Sequence, residues 1–205
     1  TDLDLRATSS LNVSKTDVTG VSAGTIAAVV NVATVKAEAL VTALLDDAAV
    51  QAAEDVTLIS DYKAYGRATA LGVSAGMGAI GAMVVDLKAG TEHGADSVVQ
   101  VQGSANISAA YLSMKATITS DLFGKSVVGG GGGLAAVGAQ TNVTDDTTAA
   151  VRIENGAVLT SNAVVIAAQA SRSLDGTANA KAFALGAGAG AGLDVESSGD
   201  ARVKI

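Results

Sequence analysis

The sequence predicts an all-β fold, a parallel β-helix (β-solenoid) built from repeats of about 54 residues. Glycine-led apolar stretches begin at Gly24, Gly78, Gly133 and Gly190, spaced 54, 55 and 57 residues apart. Within each repeat the side chains alternate with period 2, the periodicity of a strand. No proline interrupts any ladder. Composition agrees, since Ala, Gly and Val make up 92 of the 205 residues and the aromatics are Tyr62, Tyr65, Tyr111, Phe123 and Phe183 alone. A core of large rings is excluded. Buried side chains must be small, which regular stacking of backbones allows.

The repeats divide one segment, residues 1–205, into units 24–77, 78–132 and 133–189, flanked by partial units 1–23 and 190–205. A second anchor, AAVQAAEDVTLIS, DSVVQVQGSANISA and GAVLTSNAVVIAA, places Val50, Val101 and Val158 in one structural column and Val56, Ile107 and Val164 in another. A polar column follows the first strand of each unit: Asn31, Asp86, Asn142 and Asp194. Their side chains suit a ladder at a bend, hydrogen-bonding the turn backbone.

Strands are read at Val56 and Leu58, at Val151 and Ile153, at Val164 and Ile166, and along Ala178, Ala180, Ala182 and Ala184. Breaks rich in turn residues fall at 51–55, 102–106 and 160–162. Helices are disfavoured, because about one residue in eight is Gly, which costs about 0.5–1 kcal/mol against Ala in a helix interior. Lys36–Leu45 alone has local helix propensity, and its counterparts in other units read as loop, so it is assigned to strand and loop.

A unit of this size cannot bury its own apolar edges, whereas stacking units satisfies strand hydrogen bonds between neighbours. With about 18–27 residues per turn, each unit makes two or three coils, and the segment is a rod about 40–55 Å long at about 4.8 Å per coil. Both termini lie inside alternating patterns, Thr1–Leu5 and Asp200–Ile205, so the segment reads as part of a longer chain with same-chain repeats on both sides. Ala28–Val32 (AVVNV), Asp46–Leu58 (DDAAVQAAEDVTL) and Ala180–Gly190 (AKAFALGAGAG) resemble the repeats of giant secreted bacterial β-helical adhesins. These are the filamentous-haemagglutinin-like and leukotoxin-type passengers of autotransporter and two-partner secretion systems. The resemblance implies an extracellular, right-handed β-helical stalk, and its motifs describe architecture and carry no active site.

The charge balance, 13 Lys plus Arg against 20 Asp plus Glu, gives a net charge of −7. Such a chain lacks the basic patch that nucleic acid requires. No cysteine means no disulfide and no thiolate nucleophile or ligand. His93, the sole imidazole, lies between Glu92 and Gly94 and reads as a solvated loop residue, since a triad or a zinc site needs further parts. Asp46–Asp47 and Asp145–Asp146 are the carboxylate pairs able to serve as acid and base. Placed in loops, they read instead as solvated turns. Calcium would suit the same oxygens, but its glycine-rich nonapeptide is missing.

Gly76–Gly81 (GMGAIG) matches the dinucleotide fingerprint, yet a strand-like stretch follows it where a helix is required. Ala178–Gly192 sets small residues on one face against Asn179, Lys181, Phe183, Leu185, Ala187, Ala189 and Ala191. A narrow interior where only Gly and Ala fit accounts for this, with lateral packing of one rod on another as the functional alternative. Residues 68–85 and 126–144 carry no charge and are long enough to span a bilayer, but their glycine content and their register with the repeat assign them to strands outside any membrane. Asn12, Asn106 and Asn142 head glycosylation sequons.

The expected function is therefore structural and non-catalytic: a stalk or filament of an extracellular, cell-surface adhesin mediating attachment or cell–cell contact, with no catalytic residue, cofactor or metal. Its expected partners are further copies, through lateral or end-to-end self-association, and a ligand on a host or neighbouring cell. A carbohydrate-active β-helix, lyase or hydrolase, is the alternative of another class, and a self-assembling fibre subunit is the third.

Overall fold

The computed structural model describes residues 2–90 and 96–205, apart from the side chain of residue 14. Among them the chain is all-β, with parallel strands in two sheets and a β-helix-like path. The first sheet stacks four long strands, β1 (Leu3–Ala37), β4 (Asp55–Ala89), β6 (Asn106–Asp145) and β8 (Val158–Ser197), with the short β3 (Ala49–Gln51) beside the start of β6. The second stacks β2 (Val41–Asp46), β5 (Ser97–Gln102), β7 (Ala149–Ile153) and β9 (Ala201–Lys204).

The register corrects the expected coil. Leu3 pairs with Val56, Val56 with Leu112, and Leu112 with Val164, offsets of 53, 56 and 52 residues. One circuit therefore takes all of a unit that was expected to hold two or three coils. At about 4.8 Å between strands, four layers span only about 15 Å. The unequal offsets have local causes. A bulge between Val13 and Thr16 adds one residue to β1. Residues 90–96 join β4 to β5, whereas 38–40, 146–148 and 198–200 make the equivalent connections in three residues each.

Each long strand doubles back on itself. The hydroxyls of Ser126 and Thr141, 15 residues apart in β6, meet at 2.7 Å. A Cβ on Gly124 would lie 2.7 Å from Thr141 Cγ2, and one on Gly72 would run into Met83. Buried positions reverse parity at the bend, from Ala68, Ala70, Gly72 and Ser74 to Ala79, Gly81, Met83 and Val85. Gly24, Gly76, Gly132 and Ala184 share one register column there. Gly132 has φ 145°, and a Cβ on it would collide with the Gly76 carbonyl, so this tip excludes side chains in that layer. The break expected at 160–162 lies inside β8; the chain turns at 154–157 instead.

The result is a cross-section with a wide end and a narrow arm. In the wide end Val56, Leu58, Leu112 and Met114 of the long strands pack with Val99, Val101 and Val151 of the second sheet, all fully buried. In the arm the two halves of each long strand face one another across Ala, Gly and Ser. Ala178, Ala180 and Ala182 pack inward, while Phe183 and Leu185 are exposed. The alanines before the bend thus line a narrow interior, whereas Gly186, Gly188, Gly190 and Gly192, expected on the same face, turn outward beyond it. Ala187, Ala189 and Ala191, expected on the same face as Phe183, follow the bend and register with inward Ala135, Val137 and Ala139.

Candidate functional surfaces

Where the return half of the arm enters the second sheet, the chain turns a corner lined by polar groups. Asp145, wholly buried, accepts from the Thr147 amide at 2.9 Å and from the Thr147 hydroxyl at 2.6 Å. Arg172 Nε lies 3.5 Å from its second oxygen, and the guanidinium also donates to the Thr147 carbonyl. One layer away, Asp96 accepts from the Thr148 amide at 2.8 Å. These carboxylates satisfy turn amides that have left the ladder. Tyr62 packs beside them, buried, its hydroxyl without a partner among the described residues. Burial first, then the charges of Asp96, Asp145 and Glu38, push its pKa up to about 12. Period-2 alternation from Val56 and Leu58 carries Tyr62 to the inner face and Tyr65 to the outer one, while the carboxylates around the Tyr62 ring come from other layers and the far corner.

A second polar ladder crosses the interior of the wide end. Ser97 donates to Ser60 at 2.8 Å, and Ser60 donates to the Val41 carbonyl at 2.9 Å. In the arm Thr141 donates to the Thr177 carbonyl at 2.8 Å, so Ser126 must donate to Thr141. Each hydroxyl chain ties one layer to the next with no free donor left at its end.

On the outer face, the bulge in β1 opens a pocket of about 310 Å³ lined by Asn12, Tyr65, Gly66, Arg67 and Asp121. Asn12, Tyr65 and Asp121 stand in one register column. It combines a ring, a cation, an amide and a carboxylate, the donor set of a weak polar-ligand site. Its one carboxylate does not supply the acid and base pair that glycoside hydrolysis uses.

The predicted columns are rearranged. Val56 and Val164 stack with Leu112, while Ile107 pairs with Val50 and Leu159. Val101 lies between Leu45 and Ile153, and Val158 beside Asn106. The extra residues at 90–96 displaced the alignment of the middle unit. Asp86, Asn142 and Asp194 do form a ladder of neighbours, completed by Thr34. Asn31 sits three residues earlier, beside Met83, and donates to the Leu71 carbonyl at 3.2 Å.

Among the carboxylate pairs, Asp47 accepts from the Ser104 amide and hydroxyl, both at 2.8 Å, and those two bonds, amide first, lower its pKa. It has φ 48°, and Gly103, next to Ser104, has φ 66°; Asp is among the few side chains that tolerate this region. Asp146 pairs with Lys88 at 3.5 Å and accepts from Ser198. No group of three or more His, Cys, Asp or Glu able to hold a metal occurs among the described residues. His93 lies outside them. Of the sequon asparagines, Asn12 and Asn106 are exposed, whereas Asn142 is half-buried in the ladder and accepts from Gln140 at 3.1 Å.

The outer face of the return half is different in kind. From Ile26 to Val32 and across the equivalent positions of β4, β6 and β8 it carries no charge, and Ile26, Val30, Val32, Ile80 and Leu134 are each more than half exposed. Two shallow troughs of about 610 and 430 Å³ run along it where glycine replaces a side chain. No family model, no curated protein and no solved structure matches the chain.

Proposed function

We propose that this chain is a structural, non-catalytic segment of a right-handed parallel β-solenoid whose repeat is one circuit of about 52 residues. It serves as the stalk or filament of an extracellular bacterial adhesin. One observation carries the reading: every layer pairs with the next along nearly its whole length, from Leu3 with Val56 through Asp145 with Ser197. Such a stack gains length by adding circuits while each existing contact is kept. Asp96, Asp145, Ser60, Ser97, Ser126 and Thr141 are occupied in holding corners and layers together, the work expected of a rod. The adhesin and cell-surface assignments rest on the resemblance of the repeats.

The architectural half is tested by duplicating residues 112–163 after Ala163. The elongated chain is expected to fold with the same far-ultraviolet spectrum per residue and at least the same melting temperature; loss of folding would refute the repeat. The cellular half is tested by immunogold labelling of source cells with antibody to this segment. Label along surface filaments is expected, and label confined to the cell interior would refute the stalk.

A further inference from the structure

We propose that the apolar outer face of the return half is a self-association surface, and that its occupant is the same face of a second copy. The inference rests on the described face and is independent of the stalk reading. Bulk on this face is concentrated at one side of the stack and absent from the other. The β1 row presents Ile26, Val30 and Val32, while the β8 row at the same register presents Gly186, Gly190 and Gly192. Between them, β4 and β6 alternate: Gly78 lies beside Leu134, and Ile80 beside Ala136.

A two-fold axis parallel to the strands, running between β4 and β6, sets β1 of one copy over β8 of the other and β4 over β6. The large side chains then meet small ones, except in the Val32 row, where Val84 meets Gln140. Ile26 faces Gly186 of the second copy, Val30 faces Gly190, Leu134 faces Gly78, and Ile80 faces Ala136. Because β8 has no side chains in these rows, the sheets approach closely, as in dry sheet-to-sheet contacts. A two-fold contact uses one patch twice, so a face that complements itself needs no other partner.

Charge follows the same operator. Beyond the apolar rows, Lys36 registers with Lys88, Thr144 and Glu196 across the layers. The axis places Lys36 opposite Glu196 of the second copy, twice over, and Lys88 opposite Thr144. In the row before it, Asp86 meets Asn142, and Asp194 meets Thr34, so no two like charges face each other. Turning the axis along the stack instead lays the arm tip over the neck and buries Lys36 against Ile26. Electrostatic complementarity of this kind selects one docking register over others.

The area is sufficient. Four strands about 4.8 Å apart and eleven residues at about 3.3 Å each give about 700 Å² per copy, or about 1,400 Å² in all. That falls within the range of specific, stable interfaces, about 1,200–2,000 Å². The uncharged part alone, seven residues on four strands, covers about 440 Å², a size at which the largest exposed patch of a monomer is often functional.

Sedimentation equilibrium of the 205-residue chain tests the proposal, with Gly138→Arg as the disrupting variant. Gly138 is in β6, away from the open strand edges, and a Cβ there meets nothing closer than the Gly190 carbonyl oxygen at 4.0 Å. The monomer therefore accommodates the change, and an unaltered circular dichroism spectrum checks that it does. The wild type is expected to dimerise and Gly138→Arg to sediment as a monomer. Lys36→Glu should weaken association about tenfold, and Lys36→Glu with Glu196→Lys should restore it. A monomeric wild type, a dimer indifferent to Gly138→Arg, or a charge swap without rescue would each overturn the proposal. Indifference to Gly138→Arg would place association at the strand edges instead.

Discussion

The wide end and the narrow arm share one set of strands and one pairing register, yet they exclude water by opposite means. In the wide end Leu58, Leu112, Met114 and Val99 fill space between sheets that stand apart. In the arm Ala68, Ala70 and Gly72 let two halves of the same strand close on each other, with Met83 filling the gap that Gly72 leaves. A uniform ladder thus tolerates two interior widths, because backbone pairing runs along the stack and side-chain volume sets the spacing across it. The wide end is sensitive to lost volume and the arm to added volume.

Leu112→Ala should show the larger effect, about 2–5 kcal/mol lost in denaturant unfolding, since it opens a cavity among residues fixed by their neighbours in the adjacent layers. Ala70→Leu, wholly buried in the arm, should cost about 1–3 kcal/mol by overpacking. Equal tolerance of both changes would remove the contrast.

Tyr62 marks the boundary between the two regions. Tyr62→Phe deletes a buried hydroxyl with no partner among the described residues and is expected to stabilise by about 1 kcal/mol. Its pKa, about 12 folded against 10 for the free side chain, means that the folded state retains a proton the unfolded state releases. Stability is therefore full below about pH 10 and falls as pH rises towards 12, by on the order of 2–3 kcal/mol. Melting curves of Tyr62→Phe should lack this alkaline loss. Asp47→Ala should have the smallest effect. The lowered pKa of Asp47 stabilises above the unfolded value, near 3.9, and that contribution is lost as pH falls through the lower folded value. Wild type and variant should therefore converge in acid.

Strand content, parallel stacking and the small-residue interior were legible in the sequence, because period-2 alternation and the Ala and Gly pattern act locally. The length of the circuit was not. Alternation continues unbroken through the bend at Gly76–Gly78, and only the change of buried parity from Ser74 to Ala79 reveals that the strand has turned back. The columns were lost to the longer connection at 90–96, which shifts every later residue while leaving its periodicity intact. The Asp86, Asn142 and Asp194 ladder survived because its members lie at one fixed distance beyond the bend. The corner carboxylates Asp96 and Asp145 were not separated from other loop acids, because Asp96 depends on Thr148 and Asp145 on Arg172 as well as on the nearby Thr147.

The central claim is the single circuit, and the absence of cysteine makes it directly measurable. Nitroxide labels at Thr119→Cys and Ser171→Cys sit on adjacent strands in register, with Thr119→Cys and Gly138→Cys as a control pair on opposite outer faces of the arm. Strong dipolar broadening in the continuous-wave spectrum of the first pair, and weaker broadening in the second, is the predicted result. No broadening between positions 119 and 171 would mean that layers are not offset by one 52-residue circuit, and the account would fail.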